Sequence, residues 1–251
     1  MRPNVLRKKT LFKSYYSSSL FHRNIWLPPH CGRHHFRFEL SREDGCRIFV
    51  RVRMSISDRE DLETAVAKMI PSAIFFTPIQ WLDPVHLRLT RERVRDCMLT
   101  SPLFFDIDTK TPKVETQAST EVVWRLTDAI RGWSDRMPDM LVFSGKSGFH
   151  VYYWNWDDIP TRHEHLAERI EAFRRSRKKL LRDLRVKGVQ VDESVTADPW
   201  RVLRLPGSLH WDTGLIACLV SNLKKFNPQR DAVAFPLELY QEVFGLDLSR
   251  V

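Results

Sequence analysis

The chain has 251 residues, and 40 Lys and Arg against 31 Asp and Glu leave a formal charge of +9 with histidine neutral. With 43% hydrophobic and 28% charged residues it is neither disordered nor fibrous, and its length buries a sizeable core without metal or disulfide staples, which excludes a structural minidomain. The positive excess favours a polyanionic partner, most often nucleic acid.

The opening MRPNVLRKKTLFKSYY is basic but has no apolar segment after it, so it is not a signal peptide. No run approaches the ~18 apolar residues of a membrane span. Four scattered cysteines, Cys31, Cys46, Cys97 and Cys218, form no CxxC pair and fit a reducing compartment. The expectation is a soluble intracellular protein with no membrane partner. In PPHCGRHH the residues His30, Cys31, His34 and His35 match no closed zinc spacing and read as a loop. From Ile48 to Met54, Ile48, Val50, Val52 and Met54 alternate with Arg47, Phe49, Arg51 and Arg53, which predicts a strand with one buried and one basic face. Ser57-x-x-Glu60 reads as a capping box for a helix that Pro71 stops. Further strands are predicted over 73–79, 103–108, 140–144, 149–156 and 201–205. Between them, a helix over 119–133 presents Val122, Val123, Leu126, Ala129, Ile130 and Trp133 on one face. A second helix starts at the capping box Thr161-x-x-Glu164, shows Leu166, Ile170 and Phe173, and ends at Gly188 as its C′ residue. It carries ten basic residues, Arg162 to Lys187, against four acidic ones. Such a face is either solvated, with i,i+4 pairs such as Glu171 and Arg175, or tracks phosphates. Strands and helices interleave to the end, as in one compact α+β catalytic unit.

Three segments carry chemistry. In Phe104-Phe105-Asp106-Ile107-Asp108 the two carboxylates are i and i+2 on a strand, hence on one face about 7 Å apart. Such a pair can hold two divalent cations that clamp the attacking and leaving oxygens of a phosphoryl transfer; it can equally be a pair of solvated or capping carboxylates. Ser144-Gly145-Lys146-Ser147-Gly148-Phe149-His150 joins two apolar runs; its glycines and serines let backbone N–H groups approach phosphates, with Lys146 adding charge and His150 a donor. It is not a Walker loop, because a strand rather than a helix follows. Finally, Asp198 precedes a strand in TADPWRVLRLPGSLHWDTGL and can complete a metal site with Asp106 and Asp108. Arg201 and Arg204 are three apart on that strand, so one of them is expected to line the site, and His210 follows a Pro-Gly turn where exposure is expected.

These motifs, in this order, resemble those of the archaeo-eukaryotic primase superfamily, and within it the small catalytic subunit of archaeal and eukaryotic primase. FFDID resembles the family's DxD motif, SGKSGFH its SGxxGxH motif, and TADPWRVLRLPGSLHWDTGL its final aspartate and RLPGSLHxxTG. LFKSYY, HFRFEL and FNPQRDAVAF resemble the opening helix, an early strand and the closing segment, so the likeness spans nearly the whole chain. The resemblance implies the primase fold: an RRM-like catalytic sheet over residues 101–235 packed on an N-terminal αβ unit over 1–100, the whole of 1–251 forming one catalytic domain. It implies a template-dependent nucleotidyltransferase that makes or extends primers. Asp106, Asp108 and Asp198 would ligate two Mg²⁺ or Mn²⁺ ions. Ser144, Gly145, Lys146, Ser147, Gly148 and His150 would hold the triphosphate, and Arg51, Arg204 and His210 would contact the incoming nucleotide. The implied partners are a single-stranded DNA template or primer-template, NTPs or dNTPs, and a large primase subunit or other replication and repair proteins. The implied place is the cytoplasm or nucleoid, or the nucleus of a eukaryote.

The chain departs from the pattern in four places. Lys146-Ser147 stands where primases have two basic residues and is closer to the polymerase domains of bacterial end joining. The segment between Asp108 and Ser144 is short and lacks cysteine, so no structural zinc is expected. Phe75 stands where the eukaryotic subunit has an aspartate on the ribose hydroxyl, and Asp212 where HxKTG has lysine. The alternatives are an end-joining or gap-filling repair polymerase of the same superfamily, a non-catalytic nucleic-acid-binding module on the same fold, and, more distantly, a metal-dependent nuclease.

Overall fold

A computed structural model describes residues 3–85, 98–108, 114, 116–156 and 166–248. Helices α1 (Pro3–Tyr16) and α2 (Ser19–Asn24) precede β1 (Phe36–Ser41), β2 (Arg47–Arg51), α3 (Arg59–Met69) and β3 (Ala73–Phe76). Then come β4 (Leu103–Ile107), α4 (Gln117–Ser134), β5 (Met140–Phe143), β6 (Phe149–Tyr153), α5 (Leu166–Val186) and α6 (Glu193–Thr196). The chain continues with β7 (Leu203–Arg204), β8 (Cys218–Leu219) and α7 (Pro228–Asp231). The protein is α+β, with two four-stranded antiparallel sheets in the orders β2-β1-β3-β7 and β4-β6-β5-β8. The first sheet takes its fourth strand, β7, from far along the chain. In the second, β4-α4-β5-β6-α5 follows the RRM-like order with β6 between β4 and β5, and β8 extends the edge beside β5.

Alternation sets which face of the first sheet meets the core. Phe36 and Phe38 of β1 are buried, and Arg37, Glu39 and Ser41 fall on the opposite face. The register pairs Phe38 with Val50 and Glu39 with Phe49, so the basic face of β2 continues the Arg37 face. The expected buried face of β2 is only partly buried: Ile48 is exposed and Val50 half-buried, because β2 is an edge strand with a neighbour on one side only. It ends at Arg51, short of the predicted Met54.

Helix α3 starts one residue later than its predicted capping box. Asp58 is the N-cap, accepting from the Asp61 N–H at 2.9 Å, and Asp61 in turn accepts from the Ser57 N–H at 2.9 Å. The same reciprocal geometry is met by two carboxylates, which the positive end of the helix favours over a hydroxyl. Helix α5 closes with a Schellman turn at Gly188 (φ +73°), the Val189 N–H returning to Leu184 C=O and the Gly188 N–H to Arg185 C=O. Its predicted capping box at Thr161 and Glu164, and Arg162, lie outside the described residues. Among the described residues no helix is long and apolar enough to cross a membrane.

The His30–His35 segment is a loop containing a 3₁₀ turn, Cys31–Arg33. Its side chains are turned to backbone carbonyls: Cys31 Sγ to Ser57, His34 Nδ1 to Thr77 and Nε2 to Pro29, and His35 Nδ1 to Pro84.

Candidate active site

A cavity of ≈ 690 Å³ lies between the two sheets and is lined from both. From β4 and its end come Asp106 and Asp108; from the β5–β6 turn and β6 come Ser144, Lys146, Ser147 and His150. The segment around β7 supplies Asp198, Arg201, Arg204 and His210, and the first sheet supplies Arg37, Phe49 and Phe75. The three sequence motifs thus meet in one place.

Strand β4 puts Asp106 beside His150 of β6 in register, with His150 Nε2 3.7 Å from Asp106 Oδ1. Burial, then the nearby Asp108 and Asp192 carboxylates, push the Asp106 carboxyl up to about 7. Asp108 lies just past the strand, exposed, and accepts the Ser147 hydroxyl at 3.1 Å. Asp198 accepts the Trp200 N–H at 3.0 Å through Oδ1, which ties its carboxylate to the turn it opens. Trp200, at the cavity wall, stacks on buried Trp81 with centroids 4.4 Å apart and planes within 7°.

The two loop glycines do not line the cavity; they let its walls close. A Cβ on Gly148 would stand 2.3 Å from the Ile107 carbonyl oxygen, and one on Gly145 (φ +93°) 2.8 Å from His210 Cβ. The Gly145 carbonyl accepts from Thr213 Oγ1 at 2.5 Å and the Ser147 carbonyl from Ser119 Oγ at 2.6 Å. The loop is thereby fastened to helix α4 on one side and to the His210 turn on the other, with Gly148 close against the end of the Asp-bearing strand. His150 is buried, its imidazole pushed down to about 3 by burial and then by Arg204, and among the described residues its Nδ1 has no hydrogen-bond partner. His210, expected to be exposed, is half-buried. Its Nδ1 accepts the Asp212 N–H at 3.2 Å, so the neutral ring carries its proton on Nε2. Burial, then Arg204, Lys146, Arg47 and Lys8, hold it well below the usual imidazole range.

Arg204 lies with its guanidinium 4.7 Å over the Phe75 ring and donates to the Leu209 carbonyl at 2.8 Å. Against expectation, Arg201 lines the cavity as well. β7 is only two residues long, and Arg201 belongs to the turn before it, closed by its N–H on the Asp198 carbonyl, so strand alternation does not apply. Arg51 is not among the cavity-lining side chains; it pairs in register with Arg37, which is. Three participants lie outside the three chemistry-bearing segments. Arg37 reaches the cavity through strand register. Asp192 acts on Asp106 by charge, and the N-cap pattern Asp192-Glu193-Ser194 was its only trace in the sequence. Helix α1 supports the His210 turn, the Tyr15 hydroxyl donating to Gly207 C=O at 2.7 Å and the Tyr16 hydroxyl accepting from the Leu209 N–H at 3.3 Å.

Among the described residues no three His, Cys, Asp or Glu side chains come together tightly enough to enclose one metal ion. The donor set nevertheless fits hard divalent cations. Carboxylates repelling one another across a cavity are relieved by positive charge, and Mg²⁺ binds through one or two carboxylates completed by water and substrate phosphates rather than in an all-protein cage.

No family model matches the chain. A segment of 47 residues is 51% identical to the DNA primase small subunit PriS of Archaeoglobus fulgidus, covering 19% of this chain and 14% of that protein. The PriS of Pyrobaculum aerophilum is 24% identical over 208 residues, 66% of this chain and 65% of its own length. The matches thus span less than two thirds of these curated relatives. Among solved structures, the polymerase domain of Mycobacterium tuberculosis ligase D in complex with DNA aligns with a TM-score of 0.49 at 13% identity, over 94% of this chain and 87% of its own. In sequence the chain is similar to the small subunit of archaeal DNA primase.

Proposed function

We propose that the chain is a template-dependent nucleotidyltransferase of the primase type, joining NTPs or dNTPs to a 3′-hydroxyl on a single-stranded DNA template or primer-template. The observation that carries this reading is the cavity lined together by Asp106, Asp108 and Asp198 and by Lys146, Arg201 and Arg204: the carboxylates suit metal ions and the cations a polyphosphate. Asp106, Asp108 and Asp198 would hold two divalent ions, Mg²⁺ or Mn²⁺. When bound, these activate the attacking hydroxyl and neutralise charge on the phosphates.

The chain's own groups divide the rest of the work. Ser144, Lys146 and Ser147 lie where a triphosphate would end, on a loop that Gly145 and Gly148 press into place. His210 offers an Nε2–H donor, and His150, whose Nδ1 has no partner among the described residues, gives a buried ring nitrogen to the same cavity. Arg204, held over the Phe75 ring, supplies a fixed cation for the incoming nucleotide, and Arg51 adds a charge further out on the same sheet face. Residues 1–251 would act as one catalytic domain, the αβ unit of 1–100 and the RRM-like part of 101–235 closing on the cavity. Its setting would be intracellular DNA replication or repair, alone or with a large primase subunit.

The test is polymer synthesis by the purified protein with Mn²⁺ or Mg²⁺, on single-stranded templates with and without a primer, comparing NTPs with dNTPs. Labelled product of lengthening size is expected; none under any condition refutes the reading. Asp106→Ala should lower the rate roughly 1,000-fold, about 4 kcal/mol of barrier, because the metal pair loses a ligand. Undiminished synthesis by this variant would remove the metal assignment.

A further inference from the structure

Strand β1 brings to the cavity a cation outside all three motifs. Arg37 is paired with Arg51 on one side and with Phe75 on the other, and Phe75 with Arg204. Directly opposed residues of neighbouring strands share a face, so Arg51, Arg37, Phe75 and Arg204 cross the sheet in one row at steps of ~4.8 Å. Of the four, Arg37, Phe75 and Arg204 line the cavity.

Arg37 is anchored at one end. Its Nε–H donates to His35 Nε2 at 3.3 Å, and His35 Nδ1–H donates to the Pro84 carbonyl at 3.0 Å. Those two bonds require a neutral imidazole with its proton on Nδ1, and burial, followed by the charge of Arg37, pushes that imidazole down to about 4. Among the described residues the terminal nitrogens Nη1 and Nη2 donate to nothing. Burial, then the charge of Arg51, makes the guanidinium costly to keep charged, and Asp198 offsets only part of that. A half-buried guanidinium held through Nε, with its fork uncommitted and a like charge beside it, is preorganised for an oxyanion.

We infer that Arg37 is a further substrate-contacting residue, its Nη1 and Nη2 grasping one phosphate group in the cavity, and that His35 is its positioning residue. This rests on the proposed polymerase reading of the cavity. The phosphate belongs either to the triphosphate of a nucleotide or to the backbone of a single strand.

Direct binding separates the two sources without any turnover. The full chain is titrated with a labelled single-stranded DNA in one arm and with dATP and Mg²⁺, without primer, in the other. Arg37→Met, which keeps the apolar stem, is expected to weaken one probe ~10-fold and leave the other within twofold. Arg37→Lys recovers part of the loss, since the charge returns without the fork or the Nε anchor. If the affected probe is the DNA strand, the slope of log K against log salt falls by roughly one in Arg37→Met. His35→Phe weakens the same probe but keeps that slope, because the charge remains and only its placement is lost. A wild-type chain that binds neither probe overturns this inference together with the polymerase reading. A wild-type chain whose binding of both probes is matched by Arg37→Met and Arg37→Lys overturns this inference alone.

Discussion

A methyl group at Gly148 would stand 2.3 Å from the Ile107 carbonyl oxygen and 3.3 Å from Asp108 Cα, so it cannot enter without moving the strand end that carries Asp108. At Gly188 a Cβ meets nothing within 4 Å, and the only obstacle is the left-handed φ of +73°. Gly148→Ala should therefore cost activity at least ~10-fold and lower Tm, the displaced group being a proposed metal ligand. Gly188→Ala should cost about 1–2 kcal/mol, or some 2–8 °C for a chain of this size, with activity unchanged. Thermal unfolding and primer extension on the two variants compare them directly. Equal losses of activity would contradict the role given to the loop. The motifs themselves were legible at this scale, because DxD and SGxxGxH are local patterns. Arg37 was not, because it becomes a site residue only through its register with Phe75 and Arg51, and register is a property of two strands.

Helix α5 shows how an element can be read correctly and its core misread. Its apolar period gives Ile170 and Phe173, and the same face continues through position 177 to Leu181 and Leu184. Position 177 is an arginine that the sequence assigns to the charged face. In the fold Arg177 is fully buried, donating through Nη2 to the Ser101 carbonyl at 2.6 Å, with its guanidinium 4.8 Å over the Phe173 ring. It docks α5 onto the residues leading into β4, the strand of Asp106. Arg177→Met keeps the volume but leaves the Ser101 carbonyl without this donor, and should cost about 2–3 kcal/mol, or some 4–12 °C in Tm. An unchanged Tm in a thermal melt would show the docking to be dispensable. β7 was misread for a related reason. The apolar run 201–205 suggested a full strand with alternating arginines, whereas only Leu203–Arg204 pair with β3. A partner contributed from more than a hundred residues away leaves no periodic trace.

For the whole molecule the charge excess divides between the cavity and the outer surface, and the histidines set the response to acid. Among the described residues four histidines are held below the ordinary imidazole value chiefly by burial: His34, His35 to about 4, His150 to about 3, and His210. Each is neutral in the fold and free to take a proton once unfolded, so below pH ~6.5 the unfolded chain binds more protons and stability drops as pH falls. The effect is at most about 1.4 kcal/mol per histidine per pH unit. Asp106 works in the opposite sense: its carboxyl, raised to about 7 by burial and by Asp108 and Asp192, penalises the fold as pH rises from about 4 to 7. Four groups against one leave the histidines dominant. Tm measured in a metal-free buffer should therefore fall steadily from pH 7 to pH 5. In His35→Gln, which has no group to protonate there, the fall should be shallower over the same range. A Tm that is flat or rises on acidification would mean that these imidazoles are not held neutral in the fold, and the hydrogen bond by which His35 accepts from Arg37 would then have to be abandoned.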